Sequence, residues 1–226
     1  MISLSLQAKM QDRISRLIEQ GEGQQLDFKY CVNDARKIAR SVAAFANTNG
    51  GTLLLGVKDN GKISGVASDE EYYMVEKAAQ MYCKPEVPFR CQTHRCDSKT
   101  VFEVMIPPTG FVPHYAPDEN NTWLVYIRRN DQNLPANRIL LEYKRRLKSG
   151  NNTAIALDRN VEMLLNYLNR NGAISMEVFK QMTGMSKFNT ENILIDLMLM
   201  NLIEMDINEK EAVFYLKNFA IKYLSK

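Results

Sequence analysis

The side chains best placed to do chemistry in this chain are its cations. Arg138, Lys144, Arg145, Arg146 and Lys148 fall within eleven residues and are opposed only by Glu142. Arg128 and Arg129 precede them, and Arg36, Lys37 and Arg40 form a second group. Guanidinium and ammonium groups bunched in this way neutralise phosphates without reading bases. Any one such cluster is ordinarily a solvated helix face. Several of them within the first 150 residues make nucleic acid the partner to expect, with these side chains as its contacts.

Other patterns offer weaker chemistry. Gly56-Val57-Lys58-Asp59-Asn60-Gly61-Lys62 comes close to a phosphate-binding loop. Ile63 stands where Ser or Thr should hold Mg²⁺, and the segment that follows reads as strand, whereas a phosphate loop opens a helix. Cys91, His94 and Cys96 suggest zinc. On a strand, however, Cys91 faces away from His94 and Cys96, so the three cannot converge. His114 lies in a proline-rich stretch with no recognisable Ser or Cys nucleophile paired to it. These patterns call for no cofactor.

The elements that must position these groups follow from periodicity and turn residues. Leu6, Met10, Ile14, Leu17 and Ile18 predict a helix over 5–20, stopped by Gly21. Leu26 to Lys29 alternates as a strand, with Leu26 and Phe28 inward and Asp27 and Lys29 on the polar face. Asn33 or Asp34 caps a helix running to Ala46, and Asn47 to Gly51 ends it. A strand over 52–57 then turns at Asn60-Gly61, read as a two-residue type I′ hairpin, into a returning strand over 62–66. A helix over 69–83, a hairpin of 89–95 with 100–106, a proline-rich loop over 107–117, a strand over 123–128 and a helix over 136–148 complete an α+β domain with a mixed sheet.

Ser149 to Thr153 is polar and holds Gly150, so it marks the domain boundary, with domains at 1–150 and 151–226. The first holds 21 Lys and Arg against 17 Asp and Glu, the second 8 against 9. The second domain reads as helices over 158–169, 174–182 and 186–200, with a tight turn at Gly184, then strands over 202–207 and 212–216. That is the winged helix-turn-helix pattern. Its third helix sets Lys187 against Glu191 and Asp196, and the hairpin tip Asn208 to Glu211 is net negative. Met182, Met185, Met198, Met200 and Met205 suit adaptable apolar packing. DNA contact and a subunit contact are therefore weighed equally for this domain.

Several motifs occur together in order: Glu22 to Lys29 (EGQQLDFK), Ala44 to Thr52 (AFANTNGGT), Gly56 to Gly61, Gly65-Val66, and Tyr126-Ile127-Arg128-Arg129. Residues 5–147 thereby resemble the Schlafen-type Alba-like domain, and the trailing winged helix is similar to the layout of many bacterial relatives. The resemblance implies nucleic-acid binding, and many bacterial members are described as DNA-binding proteins or transcriptional regulators. It implies a second activity as well, since some animal members cleave RNA with three metal-binding carboxylates. The first two fall on Glu22 and Asp27, and Asp59 is the nearest match to the third. Clustered carboxylates hold Mg²⁺ or Mn²⁺ and activate water beside a phosphate.

Composition bounds the rest. A hydrophobic fraction of 45% with 24% charged residues fits a soluble globular chain. No apolar run approaches membrane-span length, and Lys9 and Asp12 interrupt any secretory segment. Four cysteines without such a segment indicate a reducing compartment, and two histidines argue against a His-rich metal enzyme. The expectation is a cytoplasmic, oligomeric, two-domain nucleic-acid-binding protein of the transcription-regulator type, on DNA before RNA, with no membrane partner. Its rivals are a divalent-metal-dependent endoribonuclease using Glu22 and Asp27, and a protein-interaction adaptor without nucleic acid.

Overall fold

The computed structural model describes residues 13–110, 112–150 and 158–217. The start of the helix expected over 5–20, and most of the break at 149–153, lie outside them. By its internal contacts the chain divides into two compact units, residues 1–135 and 136–226.

The first unit is built on a four-stranded sheet. Residues 13–20 are helical (α1). Strand β1 (Leu26–Lys29), helix α2 (Ala35–Ala46), strand β2 (Gly51–Leu55), helix α3 (Glu70–Met81), and strands β3 (Arg90–Cys96) and β4 (Lys99–Ile106) follow. The sheet order is β1-β2-β4-β3. β1 runs parallel to β2 and the other pairs are antiparallel, which makes the mixed sheet expected of the sequence. A second sheet, in the order β5-β6-β7, comprises Tyr115–Pro117, Trp123–Arg129 and Gln132–Pro135. Two of its strands escape a reading by pattern, because Pro117 and Pro135 sit at their ends and each is too short to show alternation.

Both faces of the four-stranded sheet are covered. Leu26, Phe28, Leu54 and Val101 pack with Ile14, Leu17 and Ile18 of α1. Leu53, Leu55, Phe102 and Val104 pack with Ile38, Val42 and Phe45 of α2 and with Val75 of α3. α2 approaches closely because its inner face is rich in alanine, and because Gly51 leaves room for the Phe45 ring. A Cβ on Gly51 would lie 2.3 Å from that ring. The double cover corrects one expectation. Asp27 is in register with Leu53, so it faces α2, and it is only 4% exposed.

The turn after β2 also differs from its reading. Gly61 N donates to Lys58 O at 2.7 Å, and Lys58 N donates to Lys62 O at 3.0 Å. Asp59 and Asn60 are the central residues of this turn, and Gly61 takes the positive φ of 78° at its end. A three-residue loop of this kind places one glycine in the left-handed region, where a type I′ turn needs positive φ at two positions. No second strand returns; a single bridge joins Val57 to Ile63.

The second unit comprises α4 (Arg138–Ser149), α5 (Arg159–Asn171), β8 (Ala173–Ser175), α6 (Met176–Thr183), α7 (Lys187–Leu199), β9 (Ile203–Ile207) and β10 (Ala212–Leu216). The three strands form an antiparallel sheet in the order β8-β10-β9. Asp158, Ser175 and Ser186 cap α5, α6 and α7 with side-chain oxygens, and Gly184 closes α6 in the left-handed conformation. Val161, Leu164, Phe179, Leu194 and Phe214 centre the core, and Ile139 and Tyr143 bring α4 into it. Helix α4, placed with the first domain by its position in the sequence, is thus built into the second unit. Charge follows it: residues 1–135 hold 16 Lys and Arg against 16 Asp and Glu, and residues 136–226 hold 13 against 10.

Candidate nucleic-acid interface and the carboxylate pair

Glu22 and Asp27 do come together. Phe28 N donates to Glu22 Oε1 at 2.7 Å, which folds the Glu22 carboxyl back onto β1. There it shares a hydrogen bond with Asp27. Burial and that neighbouring acid push the Glu22 pKa above the ordinary carboxylate range. Asp27 is flanked by two cations: Lys29 Nζ lies 2.7 Å from Oδ2, and Arg128 Nη2 lies 3.4 Å from Oδ1. The directed hydrogen bond of the Lys29 ammonium goes to Phe28 O at 3.0 Å, so its hold on Oδ2 is one of charge.

Arg128 is the centre of this arrangement. It is 2% exposed, and its donors reach Gly23 O at 3.1 Å, Leu26 O at 3.3 Å and Asn133 Oδ1 at 3.1 Å. Its guanidinium stands 5.0 Å from the centre of the Phe45 ring. Its own backbone is clamped as well: Arg128 N donates to Thr48 Oγ1 at 2.9 Å, and Gln24 Nε2 donates to Arg128 O at 2.7 Å. Nearby, Asn47 Nδ2 donates to His114 O and Tyr126 O, and Asn47 Oδ1 accepts from His114 N. The motifs around Glu22, Asn47 and Tyr126 therefore interlock. Arg128, expected to contact phosphate, has its guanidinium committed inside the unit.

Asp59 is exposed on its turn. Among the described residues no group of three or more His, Cys, Asp and Glu is arranged to hold a metal ion. Asp27 has a cation at each oxygen, Lys29 at Oδ2 and Arg128 at Oδ1. Cys91 and Cys96 pack on opposite faces of the sheet, so they do not form a zinc site with His94.

On α4 the cations divide. Arg146 turns inward and donates to Asp196 Oδ1 at 3.1 Å, to Asn192 Oδ1 at 2.5 Å and to Glu142 Oε1 at 2.7 Å. Arg138 pairs with buried Glu191 at 3.4 Å. Hydrogen bonds from Arg145 and Arg146 hold the Glu142 carboxyl down at about 2. Lys144 is half-buried, and burial lowers its pKa. Arg145 and Lys148 remain exposed. In the first unit Arg36, Lys37 and Arg129 are exposed, while Arg40 donates to Pro117 O at 3.1 Å and faces Glu119 at 3.6 Å.

Two buried ionic features carry no periodic signature. Glu103 is fully buried and is bound by Arg13 Nη2 at 2.5 Å and His94 Nε2 at 2.7 Å. Burial alone would raise its pKa, but the hydrogen bonds from His94 and Arg13 outweigh it and hold the value at about 2. Glu71 accepts from Val32 N at 3.0 Å and Ala67 N at 2.9 Å, tying two loops to α3. An acid within an otherwise apolar strand, as Glu103 is in β4, was the one available hint.

Comparison with known proteins bears on the first unit. The family model described as Schlafen, AlbA_2 matches residues 22–137. No curated protein matches the chain. Among solved structures, the DIP2311 protein of Corynebacterium diphtheriae aligns at 22% identity with a TM-score of 0.41, over 57% of this chain and 25% of that one. The N-terminal domain of a RecG-related protein from Nitrosomonas europaea, named for an ATP-dependent DNA helicase, aligns at 18% identity with a TM-score of 0.36, over 57% of this chain and 92% of that one. The chain thus spans about a quarter of the Corynebacterium protein.

Proposed function

The chain belongs to the Schlafen, AlbA_2 family through residues 22–137, and from that premise we propose that it binds nucleic acid, DNA before RNA, as a regulator-type protein. The observation that carries this reading is the charge on α4. Its five cations face one acid of the same helix, and three of them are drawn into pairs: Arg138 with Glu191, Arg145 with Glu142, and Arg146 with Glu142 and Asp196. Arg145 and Lys148 are exposed to solvent. Arg36 and Lys37 add exposed charge on the first unit, where Asp34, the acid nearest in sequence, is occupied in capping α2.

We read the second unit as a winged helix-turn-helix, with α6 and α7 joined at Gly184 and β9–β10 as the wing. Six residues of α7 are buried, and two of its acids answer arginines of α4. On this reading α4, more than α7, meets the phosphates. Phe188 and Met200, at the two ends of α7, are 59% and 39% exposed and suit contact with a second copy of the chain.

The test is fluorescence anisotropy with labelled duplex DNA across a salt series. Each phosphate contact contributes about −0.9 to the slope of log K against log salt. Replacing Arg145 and Lys148 together by Ala is expected to weaken binding across sequences and flatten the slope by about 2. Arg146 is left in place because it holds α7. An unchanged affinity and slope would remove α4 from the reading. No binding to duplex, single strand or RNA at low salt would remove the function itself.

A further inference from the structure

A cluster on the first unit, separate from the Glu22–Asp27 pair, places cations directly on aromatic rings. Lys84 Nζ lies 4.2 Å from the centre of the Trp123 ring, and the Arg36 guanidinium lies 5.7 Å from that of Tyr82. The two stacks are joined. Arg36 Nη1 donates to Asn121 Oδ1 at 3.0 Å, two residues before Trp123, and Tyr82 stands two residues before Lys84. Along either segment the Cα atoms of the residues concerned are no more than about 7 Å apart. Lys84 is also paired through its backbone with Tyr115, whose side chain is 38% exposed.

The acids around this cluster have other work. Asp34 accepts from Arg36 N and Lys37 N as the cap of α2. Asp118 accepts from Asn120 N and Thr122 N in the turn before β6. Glu119 faces Arg40, and Glu86 lines a separate groove with Tyr72 and Phe89. Among the described residues no carboxylate pairs with Arg36 or Lys84. Their positive charges rest on ring faces, an interaction worth roughly 0.5–1 kcal/mol at exposed sites. A phosphate oxygen is a stronger partner for either cation.

We propose that this cluster is a stacking platform for single-stranded nucleic acid. On binding, Lys84 and Arg36 exchange the rings for phosphates, and bases take the vacated faces of Trp123 and Tyr82. Rings that stack bases, set beside cations that follow the backbone, are the arrangement that holds single strands without regard to sequence. A duplex keeps its bases stacked on one another and cannot use these rings. The inference rests on the nucleic-acid reading above and adds to it a strand class and a surface distinct from α4.

Trp123 is the only tryptophan in the chain, so its fluorescence reports the site directly. The full chain is titrated with a labelled dT oligomer of about 12 nucleotides and, separately, with labelled duplex, reading anisotropy and tryptophan emission together. The dT oligomer is expected to quench Trp123 with the same midpoint as its anisotropy change, and the duplex to leave emission unaltered. Arg36→Gln with Lys84→Gln changes only exposed side chains, and should weaken dT binding and flatten its slope of log K against log salt by about 1.4, the worth of two lost phosphate contacts on a single strand. Duplex binding should be changed far less. Strong dT binding without quenching, dT binding undiminished in the double variant, or equal quenching by duplex would each overturn the platform while leaving the nucleic-acid reading intact. Absence of binding to either strand form would overturn both.

Discussion

Arg128→Leu tests whether the family motifs form an interlocked support or a phosphate contact. The substitution keeps an apolar stem and removes the charge beside Asp27. Breaking a buried ion pair by removing one partner costs about 3–5 kcal/mol. Lys29 still lies 2.7 Å from Asp27 Oδ2, which draws the estimate toward the lower end. Gly23 O, Leu26 O and Asn133 Oδ1 each lose a donor, at about 1 kcal/mol apiece where water cannot replace it. The first unit should therefore lose about 3–6 kcal/mol in all. With a urea slope of about 2 kcal/mol/M, its midpoint moves down by about 1.5–3 M. Trp123, five residues before Arg128 on β6, reports this unit by fluorescence. Adding Asp27→Asn should recover part of the loss, because the stranded charge is then gone. A loss under about 1 kcal/mol, or unaltered stability with weakened nucleic-acid affinity, would refute the argument and return Arg128 to the surface set.

The Glu103 carboxyl, held at about 2 against an ordinary 4.5, supplies stability that is present above pH 4.5 and is lost as pH falls toward 2. Urea midpoints should drop over that window by the equivalent of about 3 kcal/mol, and Glu103→Gln should be less stable at pH 7 with a flatter acid limb. Gly51→Ala should destabilise by about 1–3 kcal/mol in thermal melts, because its new methyl must displace the Phe45 ring. Of the four thiols only Cys31 is exposed; burial pushes Cys83 up to about 12 and Cys91 to about 11, and Cys96 is buried. One thiol should therefore react rapidly with a disulfide reagent at pH 8, and all four only after unfolding.

The legibility of the chain varied with the range of the forces involved. Helices α2, α3, α5 and α7 and the β3–β4 hairpin were readable because cap residues, apolar spacing and Asp97, at a φ of 55°, act over a few neighbours. The Asn60-Gly61 signal gave the turn but not its type. The bridge of Val57 with Ile63 and the close approach of Gly56 to Gly65 and Val66 set the loop at three residues. Helix α4 was readable as a helix but not as a member of the second unit. Ile139, Tyr143 and Arg146 find their partners in residues far along the chain.

The sequence by itself was enough to determine the α+β class, the mixed sheet and the family motifs, which act over short stretches of chain. Only the tertiary structure decided which charges reach solvent. Arg128 and Arg129 are neighbours of one type on one strand; alternation sends them to opposite faces but does not say which face is buried. Gly23, 105 residues earlier, and Thr48, 80 residues earlier, fold around one and leave the other outside. In the same way Arg146 braces α7 while Lys148, one half-turn on, stays exposed. Whether a cation serves the fold or a ligand depends on the groups that long-range packing sets beside it, and spacing along the chain does not encode them.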